Sequence, residues 1–514
     1  MPKNQQFKEF QEHSVAEFFK KNRQMLGYSG KIKSLTTVVH EYVTNMIDAV
    51  EEEEDNLPEA FVKIEEMGPE HYKVIVEDNG PGIPENYIGK AFGQMLAGTK
   101  FHRFMQQRGQ QGIGAAGAVM FGQVTTGKPT KIITGQGDGK ILECELSIDV
   151  KKNRASINNK KTYSGEMKGT RIETELKNVL YQKGRYGIDE YLRRTVLANP
   201  HLKLTYVDPE GKTIIYDRAV DDIPPKPKEA KPHPRGVTVD DLLGYALRSN
   251  SHKIKSFLRN DFTRISGKKV KEIQKKVSFD LNKMPKDLRW DEAEELVETF
   301  KETDFMRPPT DVLVPIGKKR LEKAIEEQLE PEFKQVVERK PKVYRGGVPF
   351  IVETALAYGG KAGNNNGDNE IEIMRFSNRV PLLFNKGTCA ITKAVKSVDW
   401  DRYGIKDNTP VTILVNFTSI HVPYIGAGKK SIAEEEEILN EIRLSLMKTG
   451  RKLGKYLKGK RRQRKRLQKK KTFEIYIPEI SKSLSEITGK KEEEIKKHLQ
   501  SIVKQRFSDI KEDE

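Results

Sequence analysis

Cysteine is scarce in this sequence. Its 514 residues hold two, Cys144 and Cys389, far apart in the chain, which suggests neither a disulfide framework nor a zinc site. Long apolar runs are missing too: no window approaches eighteen consecutive apolar residues, and Met1 to Phe10 has no apolar signal core. These absences lead to the expectation of a cytoplasmic protein without a membrane partner. Two familiar phosphate-binding signatures are also lacking. No glycine-rich loop ends in the Gly-Lys-Ser/Thr of a Walker motif, and none follows directly on a strand as a Rossmann fingerprint requires. What is present is a hydrophobic fraction of 36% with 21 Phe and 17 Tyr, enough for globular cores, and a length that calls for three or four domains. Lys and Arg number 92 against 74 Asp and Glu, a net +18 that favours a polyanionic partner such as DNA. Part of that excess is local, between Lys448 and Lys471.

The chain is organised around His40 to Ala49. At about 100° per residue, Glu41, Asn45 and Asp48 share one narrow helical stripe. Leu35, Val38, Val39, Tyr42, Val43, Met46, Ile47 and Val50 fill the opposite face, the spacing of a helix packed on a sheet. A solvated polar face is the ordinary reading of such a stripe; the residues that follow argue for more. After an acidic run from Glu51 to Asp55, read as a turn, strands are expected at Phe61 to Glu65 and His71 to Glu77. Alternation in the second puts Asp78 on the side of Tyr72, Val74 and Val76. Asn79-Gly80-Pro81-Gly82 follows at once, where glycines permit close approach of a flat ligand. Thr99 and Lys100 come next, then the glycine-rich stretch Arg108 to Ala118. Its N–H groups, at the start of a helix predicted for Ala115 to Phe121, suit phosphate. Further strands at Lys131 to Thr134, Lys140 to Ser147, Gly169 to Leu176, Leu202 to Val207 and Thr213 to Tyr216 make this an α/β unit.

A proline-rich linker, Pro224 to Gly236, precedes four short helices: Val239 to Ala246, Ile254 to Phe257, Lys268 to Val277 and Trp290 to Lys301. Strands return at Val343 to Tyr358, Glu370 to Phe376 and Pro410 to Phe417, with a helix at Ala390 to Val398 completing a βαβ-like unit. The stretch from Ser431 reads as the start of a long helix, Ser431 and Glu434 forming a capping box and Ile438, Ile442, Leu446, Leu453 and Leu457 an apolar seam. The basic run Lys458 to Arg466 has no interleaved aromatics, so a solvated or subunit-facing role weighs somewhat more than direct DNA binding. Phe473 to Ile477 reads as strand and Glu492 to Phe507 as a charged helix.

In this order the motifs from His40 to about Leu176 resemble the GHKL superfamily, the Bergerat-type ATPases of gyrases, heat-shock chaperones, histidine kinases and mismatch-repair proteins. The resemblance implies that Glu41 is the general base activating water and that Asn45 is the ligand of a Mg²⁺ bridging the phosphates. It implies that Asp78 accepts the adenine amino hydrogen, that Gly82 borders the base and that Thr170 holds adenine through water. Arg108, Gly109, Gln110, Gln111, Gly112, Ile113, Gly114 and Ala115 become the lid over the triphosphate of ATP, with Thr99 and Lys100 beside it. A carboxylate base, a hard-cation ligand and backbone donors are what metal-assisted phosphoanhydride hydrolysis requires.

Over nearly the whole chain the order of units is similar to the B subunits of type IIB DNA topoisomerases, and the runs at His40 to Ala49 and Gln107 to Ala115 look like that family's versions. The implied architecture is a multidomain α/β (α+β) fold. It has an N-terminal strap to residue 28, a GHKL ATPase sandwich over 29–222, the linker to 236 and a helix-two-turn-helix insert over 237–306. A βαβ transducer like the second domain of ribosomal protein S5, with its long exit helix, covers 307–471, and a tail over 472–514 matches nothing recognised. The resemblance further implies a transducer lysine on the γ-phosphate, placed at Lys429 with Lys430 the adjacent alternative. It implies ATP-dependent homodimerisation, a cleaving A-type subunit in an A2B2 assembly, double-stranded DNA as substrate and a place at the nucleoid. A clamp ATPase of chaperone or mismatch-repair type, without a cleaving partner, is the competing reading.

Overall fold

The computed structural model describes residues 27–53, 56–94, 104–108, 114–149, 154–363, 371–406, 408–426 and 430–507. The N-terminal strap expected to residue 28 lies outside them except for Gly27 and Tyr28. Helix α1, Lys31–Glu51, forms where the apolar stripe demands one, and every residue assigned to its core face is buried. It packs with the other helices of this unit on an eight-stranded sheet whose core joins Val38, Tyr42 and Met46 to Val62, Val74 and Ile132.

Along the chain the sheet comprises β1 (Glu59–Gly68), β2 (His71–Asp78), β3 (Thr130–Gln136), β4 (Lys140–Asp149), β5 (Arg154–Ser164), β6 (Lys168–Lys177), β7 (Lys203–Val207) and β8 (Thr213–Tyr216). Their spatial order is β5-β4-β3-β6-β2-β1-β7-β8, antiparallel except for the parallel β1–β7 pair. This unit's remaining helices are α2 (Glu85–Gly93), α3 (Gly114–Thr126) and α4 (Ile188–Ala198). The sequence pattern missed α2, α4 and β5. β5 is an edge strand whose alternation is confined to Ala155 and Ile157 and whose second half is exposed Asn, Lys and Thr.

Four helices follow, α5 (Val239–Arg248), α6 (Ile254–Asp261), α7 (Gly267–Lys276) and α8 (Trp290–Glu302), each starting within one residue of expectation. They close on a core of their own built around Phe257, Phe262 and Phe300. Next come α9 (Lys318–Leu329), unpredicted, and a six-stranded sheet of β9 (Phe333–Glu338), β10 (Lys342–Tyr344), β11 (Val348–Tyr358), β12 (Glu372–Ser377), β13 (Val380–Pro381) and β14 (Val411–Ser419). The single strand expected at Val343 to Tyr358 is cut in two by a turn in which Arg345 and Gly346 both take positive φ. Helices α10 (Ala390–Lys396) and α11 (Glu436–Thr488) complete this layer, and α12 (Glu492–Arg506) folds back on α11.

The seam Ile438, Ile442, Leu446, Leu453 and Leu457 is buried as predicted. Two expectations about α11 fail. Ser431 is not its cap: Ile432 bridges Tyr424, Glu434 pairs with Lys393, and the N-cap is Glu435. Phe473 to Ile477 is not a strand either, because α11 runs unbroken for 53 residues through Pro478. Beta-branched and aromatic composition misled there, where helix continuity decided.

β12 and β13 are joined by the two-residue turn Asn378-Arg379, both residues in left-handed backbone (φ 46° and 68°), as a right-twisted hairpin requires. The turn is held from beneath. The backbone N–H of Arg379 donates to Asn416 Oδ1 (3.3 Å), and Asn416 Nδ2 donates to Glu353 (2.7 Å). Glu353, fully buried, also accepts from the N–H groups of Ile316 (3.0 Å) and Gly317 (2.7 Å) at the start of α9. Burial outweighs these three donors and pushes its carboxyl up to about 7. An acid whose pKa is raised by folding keeps its proton in the native state while the unfolded chain loses it, so stability falls as pH rises from about 4.5 to about 7. We expect Glu353→Gln to gain about 3 kcal/mol on wild type between pH 4.5 and pH 8, whatever its offset at the acid end. Denaturant titrations across that range measure it, and parallel curves would show that Glu353 does not titrate there.

Candidate active site

The polar stripe of α1 continues the helical rise as Lys33, Thr37, Glu41, Asn45 and Asp48, and of these only Thr37 is closed off from solvent. Glu41 meets the first residue of α3. A Cβ built on Gly114 would stand 1.9 Å from Glu41 Oε2, so only glycine lets the helix N-terminus come this close to the carboxylate. The positive end of α3 and a carboxylate thus share one corner. Asn45 lies one turn further on, part-exposed.

The other end of the pocket is built by the sheet. Asp78 closes β2, and its Oδ1 accepts from the N–H of Gly80 (2.9 Å) and of Thr170 (3.1 Å). Burial raises its carboxyl to about 6 against the pull of those two donors. Gly82, with φ 70°, leaves no room for a side chain, since a Cβ would sit 2.2 Å from the Gly135 carbonyl. Thr170 Oγ1 lies 3.1 Å from Thr134 Oγ1, which accepts from the Ile83 N–H (2.8 Å). Asp78, Gly82 and Thr170, separated by up to 92 residues in sequence, therefore meet as expected. Thr134, the hub between Ile83 and Thr170, was missed, being one polar residue in an unremarkable strand. Thr99, Lys100, Gly109, Gln110, Gln111, Gly112, Ile113 and Lys429 lie outside the described residues. Ala115, also assigned to the lid, is buried in the first turn of α3.

Arg108 is a correction. Expected over the triphosphate, it is instead enclosed at the far end of α1. Its Nη1 donates to Asp48 (2.7 Å) and Glu51 (2.9 Å), and its Nη2 to Glu51 (2.6 Å) and Asn199 Oδ1 (2.7 Å). Glu51, read as the start of a turn, is the last residue of α1 and the centre of the cluster. It also accepts from Arg379 (2.9 and 3.3 Å) and from His201 Nε2 (2.8 Å). Burial alone would raise the Glu51 carboxyl; the two guanidiniums hold it well below the usual range. Burial, and then Arg108 alongside, bring Arg379 down to about 10, still charged at neutral pH. His201 is pushed down by burial, so the neutral ring donates from Nε2. Two carboxylates then balance two guanidiniums. Asp48 has its role here, as a second ligand of Arg108.

Lys430 comes from the second sheet's side. Its Nζ donates to the Gly27 carbonyl (3.0 Å) and Thr37 Oγ1 (3.3 Å) and stands 4.8 Å over the Phe384 ring. Burial, with Lys33 close by, pushes it down to about 7. A lysine of the expected loop thus reaches α1 one turn before Glu41. Sequence spacing alone had no means of separating it from its neighbour.

Among the described residues no three His, Cys, Asp or Glu side chains converge as a metal site, and no helix is long and apolar enough to cross a membrane. Comparison with known proteins agrees with the geometry. Residues 30–178 match the family model of histidine kinase-, DNA gyrase B- and HSP90-like ATPases, and residues 308–470 that of the topoisomerase VI B subunit transducer. The chain is 47% identical to the B subunit of type 2 DNA topoisomerase 6 from Pyrococcus furiosus, over 98% of this chain and 96% of that protein. To its counterpart from Methanothermobacter thermautotrophicus it is 47% identical over 96% and 95%. The chain belongs to the topoisomerase VI B subunit family, the ATPase subunits of a type II DNA topoisomerase.

Proposed function

We propose that the pocket between α1, β2, β6 and α3 binds ATP with its adenine at Asp78 and its phosphates toward Glu41 and the N-terminus of α3. The observation that carries this reading is the corner where Gly114 opens the positive end of a helix onto Glu41. Asp78 accepts from the adenine amino group, Gly82 leaves room for the ring, and Thr170 and Thr134 fix that wall. Glu41 takes a proton from the attacking water, which is general-base work for a carboxylate. A bound Mg²⁺ would neutralise phosphate charge. Asn45 fits it as a protein ligand, since this ion keeps most of its shell as water and phosphate oxygen. Thr99, Lys100 and the Gly109 to Ile113 stretch cover the triphosphate in this reading, and Lys429 and Lys430 are the two candidates for a lysine on the γ-phosphate.

ATP binding joins two copies of the chain, and turnover drives a cleaving A-type subunit in an A2B2 assembly that relaxes duplex DNA. Support for a docked partner comes from α11, whose distal half exposes Phe473, Tyr476, Ile480 and Ile487 along one face, an apolar stripe a lone subunit has no use for. The transducer match weighs against a clamp without a cleaving partner.

Glu41→Ala is expected to retain nucleotide and lose turnover by about 10²- to 10⁴-fold; steady-state hydrolysis at the wild-type rate would remove Glu41 as the base. A non-hydrolysable ATP analogue should convert the isolated chain from monomer to dimer in sedimentation, and a persistent monomer would count heavily against ATP-driven pairing. An amino donor favours an ionised acceptor, so nucleotide affinity should rise with pH up to about 6, where Asp78 ionises, and level off above it. Fluorescent-nucleotide titrations from pH 5 to pH 8 test this, with Asp78→Asn flattening the rise; a flat wild-type profile rules out Asp78 as the acceptor.

A further inference from the structure

The turn between β12 and β13 does more than reverse the chain. Asn378 Nδ2 donates to the Gln107 carbonyl (2.9 Å), while Arg379 reaches Glu51 on α1. The segment it grips, Phe104 to Arg108, is tied to the same side again: Gln106 exchanges two bonds with the Val314 backbone (2.8 and 2.7 Å), and the Phe104 carbonyl accepts from Ala230 (2.7 Å). Arg108 closes the circuit on Asp48 and Glu51. One turn of the second sheet thus holds both the end of α1, through the Arg379–Glu51 ion pair, and the segment beside it, through the neutral Asn378–Gln107 bond.

The conformation of the turn is informative. Asn at the first central position suits left-handed backbone, but Arg at the second gives up the favoured glycine. A non-glycine residue held in this region marks a place where the side chain matters more than the local backbone preference. Here the side chain is a guanidinium directed at Glu51, and the Glu353–Asn416 pair braces the turn from the other side.

We propose that the Asn378-Arg379 turn is the positioning contact through which the second sheet sets α1, the helix carrying Glu41 and Asn45, and that Arg379 couples ATP turnover to strand passage. Arg379 touches neither nucleotide nor DNA; it acts through Glu51. The inference rests on the reading of the chain as the ATPase subunit of a DNA-relaxing assembly.

Arg379→Gly is the variant of choice, because it creates the Asn-Gly pair that such a turn prefers and removes the side chain with its guanidinium without straining the turn. In the full complex with the cleaving subunit, the quantity to measure is supercoils removed per ATP hydrolysed. We expect this ratio to fall about fivefold, with the KM for ATP within about twofold of wild type, and Arg379→Lys to fall between. A purely structural role would lower hydrolysis and relaxation together and leave the ratio unchanged, and that outcome overturns the proposal. If Arg379→Gly does not fold, Arg379→Lys decides alone: a reduced ratio supports the coupling and a wild-type ratio ends it. A wild-type complex that fails to relax DNA with ATP would overturn the functional reading and the coupling with it, whereas relaxing variants with an unchanged ratio overturn the coupling only.

Discussion

One buried carboxylate, Glu51, holds the two halves of the molecule in register. It is shared by Arg108, from the segment before α3, and Arg379, from the second sheet, with His201 as a third donor. Desolvating so many charges is expensive, and such a cluster is tolerated only when it balances. Deleting one member of a buried pair costs about 3–5 kcal/mol because the survivor is left uncompensated. An apolar contact of equal area would tolerate sliding. This cluster does not, since its bidentate geometry is satisfied in one arrangement. Nearby apolar contacts, Leu197 and Ala198 against Leu321 and Ile325, add area without fixing direction.

α1 therefore works as a shared structural axis. Its apolar face belongs to the first core, its polar stripe lines the pocket, its N-terminal third meets Lys430 and its last residue meets Arg379. The proposed site at Glu41 and Asn45 is bracketed by contacts from the second sheet at both ends. A change at either bracket is felt along a helix that, being hydrogen-bonded throughout, moves as a body.

How much of this was legible in the sequence follows from how each feature is encoded. The core of α1 and the inward turn of Asp78 came from local periodicity, which carries its information within short windows; that Thr170 joins Asp78 and Gly82 came only from the resemblance to the GHKL ATPases. The exposed edge strand β5 and the short helix α2 were missed because little apolar pattern marks them, whereas α4 was legible, with Ile188, Tyr191, Leu192, Thr195 and Val196 at helical spacing. Phe473 to Ile477 was misread because strand-forming side chains on a solvent-facing helix look like a strand when continuity is invisible. Arg108 was misplaced for a different reason: its partners Asp48, Glu51 and Asn199 are distant in sequence, and a charged residue in a glycine-rich stretch gives no sign that it is buried. Arg379 left no signal beyond an Asn before it.

The length of α11 has a mechanical consequence. Its seam is clamped to the second sheet as far as Leu457, Lys460 and Arg461 still bond to Glu332 and Gly404, and beyond them about thirty residues project, at about 1.5 Å each, for about 40 to 45 Å. A rod of that length pivoting by about 10° at its clamp sweeps its free end through about 8 Å. A small rotation of the second sheet at the root of α11 thus arrives at the far tip as a movement on the scale of a whole side chain.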